Sequence, residues 1–174
     1  MMKKTLFSIA AALTLSAAAH VRAQSVAFVS MSTDPAAAND LHARATALFS
    51  QPHRSREAAV LLVQASSLRA SQDSTAVRDL LDAGRLFSYA KDYRGARGAL
   101  EHAATRALDF GLVVTAAHAY VDAAFIAIRQ KDADAMRELT ASAERLANST
   151  HVNDAQRREI MMRINPARAG NRNR

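Results

Sequence analysis

His118 and Asp122 stand four residues apart, the spacing that puts two side chains on one helix face, and both are residue types that ligate divalent cations. A metal site needs further ligands, and no HExxH or comparable second pair accompanies them; His42, His53, His102 and His151 are scattered. Met136, Met161 and Met162 are soft donors of the kind copper takes, but methionine at the apolar positions of a helix ordinarily fills core space. Serine and aspartate are plentiful, yet none stands in a GxSxG elbow, a Walker phosphate loop or a GxGxxG turn. The pattern predicts no catalytic residue, no metal site and no cofactor.

The chain contains no cysteine, so it offers no thiolate ligand, no disulfide, no covalent haem attachment and no lipidation cysteine. Its start has the three parts of a secretory leader: Lys3 and Lys4, the apolar run Leu6 to Leu15, and the small-residue exit Val21-Arg22-Ala23. That run is well short of the roughly 20 residues a membrane-spanning helix needs. Residues 1–23 are therefore expected to be a signal peptide, with cleavage after Ala19 as the alternative. The expected product is soluble, in the periplasm or outside the cell, without a transmembrane segment.

The net charge of +7 comes from 23 basic and 16 acidic residues. Setting aside Lys3, Lys4 and Arg22 leaves 20 basic residues against the 16 acidic ones, a charge of +4. From Asp154 onward there are six arginines and two acids, which leaves 14 of each sign before it. A neutral body with a basic end, lacking a cationic face interleaved with stacking aromatics, argues against a nucleic-acid partner. The basic end could attract anionic lipid or polysaccharide.

The elements that must position these residues read as helices. Alanine dominates, and the few glycines, prolines and β-branched runs favour helix over sheet. After a lead-in at 24–33, Asp34-Pro35 reads as N-cap and first helical residue of a helix reaching about Phe49. Gln51-Pro52-His53 breaks it, and Ala58, Leu61, Leu62, Ala65 and Leu68 recur with helical period in a second. Val77, Leu80, Leu81, Gly84 and Phe87 define a third, which Lys91-Asp92 turns into a fourth bearing Tyr93, Ala96, Leu100, Ala103 and Ala107. Gly111 supplies a left-handed exit. A fifth helix follows from about Leu112 to Ile128, a sixth is opened by Asp132, and a seventh, capped by Asn153, carries Ile160, Met161 and Ile164. From Asn165-Pro166 onward the apolar period is lost, and 165–174 is expected to be a disordered basic tail.

Gly84, Phe87, Ala96, Leu100 and Ala103 recur, each displaced by 38 residues, as Thr46, Phe49, Ala58, Leu62 and Ala65. This register resembles the tetratricopeptide repeat, a unit of about 34 residues that pairs two antiparallel helices through small side chains. The match is best from Gly84 to Ala103. A third copy, displaced by 40, brings Ala124, Ala127, Met136, Thr140 and Ala143, and a one-residue shift of its second helix to Ala135 and Leu139 improves the fit to the repeat pattern. The resemblance spans roughly Asp40 to Ala147. It implies an all-α fold over 34–164: three antiparallel hairpins in a short right-handed solenoid, closed by a C-terminal capping helix that covers the last pair.

In this family, partners lie in the concave groove lined by the first helix of each hairpin. Carried over face by face, the resemblance implies a groove formed by Arg78, Arg85 and Tyr89 of the third helix and His118, Val121, Phe125 and Arg129 of the fifth. The expected function is a non-enzymatic scaffold or adaptor of the bacterial cell envelope that binds a protein or peptide segment. The alternative is a periplasmic carrier of a metal or small molecule, and self-association is a third reading.

Overall fold

The computed structural model of the chain describes residues 33–172. The leader at 1–23 and all but the last residue of the lead-in lie outside the described residues. Seven α-helices and one short 3-10 turn make up this part, and no strand occurs among the described residues. They are α1 (Pro35–Ala47), the 3-10 turn (Pro52–Arg54), α2 (Ser55–Leu68), α3 (Thr75–Tyr89), α4 (Tyr93–Asp109), α5 (Val113–Gln130), α6 (Ala133–Ala147) and α7 (Asp154–Arg172). None of the described helices is long and apolar enough to cross a membrane.

Each helix packs on the next in the chain, and α7 packs on both α5 and α6. Short connections hold consecutive helices antiparallel. The boundaries follow local chemistry. Asp34 Oδ1 accepts from the Ala37 N–H at 3.0 Å, with Pro35 at the first helical position. Asp92 and Asp132 cap α4 and α6 in the same way, accepting from Gly95 and Ala135. Asn153 and Gln156 exchange side chain and backbone hydrogen bonds reciprocally at 2.9 and 3.0 Å, a capping box that starts α7. Gly111 leaves α4 with φ +69°, as expected.

Alanine fills the helix interfaces: Ala58, Ala83, Ala96, Ala103, Ala116, Ala124 and Ala143 are fully buried, which brings helix axes close together. Larger side chains fill what remains. Leu62, Leu80, Ile160 and Ile164 are completely enclosed, and each such burial contributes roughly 1.5–3 kcal/mol. At Gly84 a Cβ would stand 2.6 Å from Leu100 Cγ, so a hydrogen at this position is what lets α4 approach α3.

The 38-residue register holds in the second helices, where Ala58 matches Ala96, Leu62 matches Leu100 and Ala65 matches Ala103, all buried. It lapses in the first. Phe87 is 7% exposed but Phe49 is 44% exposed, and Leu48 takes the inward place. α1 has already ended at Ala47, and the chain turns toward Pro52, so Phe49 is not carried inward by a final helical turn as Phe87 is. In the third hairpin Ala124, Ala127, Met136, Thr140 and Ala143 are all buried, whereas Ala135 is only partly so. Leu139 of the shifted register is buried as well, so the inward face of α6 draws on both displacements. Thr140 is tolerated there because its hydroxyl donates to the Met136 carbonyl at 2.9 Å.

At the C-terminal end the structure departs from the expected tail. α7 continues through Pro166 to Arg172 instead of ending near Ile164. A proline inside a helix removes one hydrogen bond and costs about 3 kcal/mol. Here Ile164 and Ala167, both fully buried on either side of Pro166, hold the helix against its neighbours across that break.

Candidate functional site

A cavity of about 430 Å³ opens between α3, α5 and α7, with Leu100 of α4 reaching its wall. Period places the contributing side chains. On α3, Arg85 and Tyr89 are four residues apart on the face away from the buried Ala83 and Phe87, and Tyr89 is 79% exposed. On α5, Asp122, Phe125 and Arg129 fall three and four apart and line the same cavity. α7 adds Arg163.

Four of the seven expected groove residues thus meet: Arg85, Tyr89, Phe125 and Arg129. The other three do not line the cavity. Val121 is fully buried among Ala143, Ala147, Ile160 and Ile164, because α7 lies on that side of α5 and turns it into core. Arg78 is exposed on α3 but away from the cavity. His118 is half-buried and stands behind the wall, where its Nδ1 accepts from Arg163 Nη1 at 2.7 Å. Arg163 was missed by the sequence reading, which treated α7 as a lid on apolar surface. The available signal was its place beside the Ile160 and Ile164 stripe, one turn from Glu159.

Arg163 also donates to Asp122, so a guanidinium occupies the place between His118 and Asp122 that a shared metal ion would need. Among the described residues no three histidines or carboxylates are grouped to hold a cation. The remaining cavity charges are lightly held. Arg85 pairs with Asp82 at 3.0 Å on the exposed helix surface, and the Arg129 guanidinium lies 5.9 Å from the centre of the Tyr93 ring. Three guanidiniums from three helices therefore face one partly aromatic cavity, with Asp122 satisfied by Arg163.

Burial, reinforced by the Arg163 charge, holds His118 below the ordinary histidine value of 6.5; Glu159 and Asp122 pull weakly the other way. A separate polar cluster lies at the other end of the domain. Asp79 is fully buried on α3 and accepts from Arg69 Nε at 2.7 Å, while His42 Nδ1 of α1 lies 2.7 Å from its other oxygen. Arg69 donates further to Asn39 and Asp73, each at 3.1 Å. The cluster ties α1, the end of α2 and α3 together. No protein-family model, curated protein or solved structure matches the chain.

Proposed function

We propose that the helical domain is a non-enzymatic, tetratricopeptide-like binding module that holds a protein or peptide segment in the groove between α3, α5 and α7. The observation that carries this reading is the convergence of Arg85, Tyr89, Phe125 and Arg129 on one cavity of about 430 Å³. A large aromatic left 79% exposed beside two lightly paired guanidiniums is the composition of a recognition surface, since Tyr and Arg dominate the energetics of interfaces. The solenoid architecture is supported by the matched second helices and by α7 covering the last hairpin. Placement in a bacterial cell envelope rests on the leader-like start, Lys3 to Ala23.

A small-molecule carrier is the second reading, favoured by a cavity volume within the range of small-ligand sites. Its metal form has less support, since Arg163 bridges His118 and Asp122. Affinity capture from a native envelope extract distinguishes the readings when the native chain is compared with a double variant, Arg85→Glu with Phe125→Ala. A protein held by the native chain and lost from an equally helical, equally stable variant supports the groove. A protein held equally by both moves recognition elsewhere on the molecule, and no capture by either favours the small ligand.

A further inference from the structure

Arginine has hydrogen-bond donors and no acceptor, so the 2.7 Å contact from Arg163 Nη1 requires His118 Nδ1 to carry a lone pair. The ring is then neutral with its proton on Nε2, which faces Glu159 Oε1 at 3.6 Å. Arg163 Nη2 donates to Asp122, one turn further along α5. The guanidinium is gripped at two points, and one of them exists only while His118 is unprotonated. Because Arg163 lies between the buried Ile160 and Ile164, the grip is part of what seats α7 beside the groove.

We propose that His118 is a proton-operated latch on the groove wall: a proton taken from solvent by Nδ1 removes the acceptor for Arg163, sets two positive groups face to face, and loosens α7 from α5. The charged groups acting on the ring are Arg163 and Glu159 of α7 and Asp122 of α5. Glu159 favours the protonated ring and Arg163 opposes it, so release is a contest between two side chains of the same helix. The direction follows from linkage. A histidine held below its ordinary value binds its proton less readily with α7 docked than with α7 free. Docking is therefore strongest above pH 6.5 and weakens as the pH falls from there toward the depressed value. Its role as a regulator rests on the groove being a binding site: the freed Arg163 would present its full charge to whatever lies there.

The latch is tested without any ligand, so its failure and that of the groove reading are distinguishable. Amide hydrogen exchange of the full chain is followed from pH 7.5 to 5, corrected for intrinsic exchange, alongside the nitrogen shifts of the His118 ring. The expected result is loss of protection in residues 154–167 by about fivefold, the equivalent of one modest hydrogen bond, at the midpoint of the His118 titration and with α3 unchanged. In His118→Asn, whose amide keeps an acceptor without titrating, this pH dependence disappears. Protection that is flat with pH, that follows a different midpoint, or that responds identically in the variant overturns the proposal. If the variant fails to seat α7 at all, coincidence or separation of the two midpoints in the native chain still decides.

Discussion

Asp79 is the residue on which the first hairpin depends. A fully buried carboxylate is tolerable only when its charge and lone pairs are met, and Arg69 and His42 meet both oxygens. Arg69, itself nearly buried, would in turn be left with only Asn39 and Asp73. Asp79→Ala is expected to cost about 3 kcal/mol in urea unfolding, the lower end for breaking a buried pair because Asp73 still faces Arg69. Replacing both partners, Arg69→Met with Asp79→Leu, is expected to cost less than the single change. A double that costs more would mean the cluster contributes net stability of its own. None of this was legible beforehand: Asp79 stands in sequence like any polar residue of a helix, and its burial depends on α1 covering that face.

At the scale of elements, the turns between paired helices repeat a device that local sequence only half reveals. Lys91 and Lys131 both adopt the left-handed conformation, with φ 59° and 62°, directly before the capping aspartates Asp92 and Asp132. In each case the aspartate N–H donates back into the preceding helix, to Phe87 and to Ala127. A side chain in this conformation is strained relative to glycine, so Lys131→Gly is expected to raise stability by about 1 kcal/mol, read as a higher melting temperature. A fall would show that the lysine side chain contributes more than its backbone strain costs. The same aspartates join neighbouring hairpins, for Arg56 reaches Asp92 at 3.0 Å and Arg97 reaches Asp132 at 2.7 Å. Backbone donors first, and these arginines second, hold both carboxyls below their ordinary value. Their contribution is therefore present above the usual carboxylate range and lost as the pH falls through the lowered values. The capping role was readable from Asp followed by a helical period; the cross-hairpin arginines were not, because each lies more than thirty residues from its partner.

Within the helical domain each described helix rests mainly on its chain neighbours, so stability should be regional. α7 is the test of that. Ile160 is fully buried against α5 and α6, and Ile160→Ala is expected to cost about 3 kcal/mol locally. Hydrogen exchange should then show α7 losing protection while α2, α3 and α4 keep theirs. Equal loss throughout would identify one cooperative unit instead.

The helical class, the seven segments, their caps at Asp34, Asp92, Asp132 and Asn153, and the alanine interfaces were determined by the sequence alone. These depend on period and on contacts within a few residues, and such information is written contiguously. That Arg85, Tyr89, Phe125 and Arg129 would share a groove was an expectation of the tetratricopeptide resemblance, because period puts residues on one face of each helix but does not say which faces meet when helices stack. Tertiary structure alone decided that Val121 is core, that Phe49 fails to follow Phe87 inward, and that α7 passes Pro166. It alone brought Arg163 to His118 across 45 positions. For Val121, α7 and Arg163 the physical reason is common: each depends on which neighbour covers a given face, and packing between distant segments leaves no local pattern from which to read it, whereas Phe49 stays out because α1 ends at Ala47 before a further turn could carry it inward.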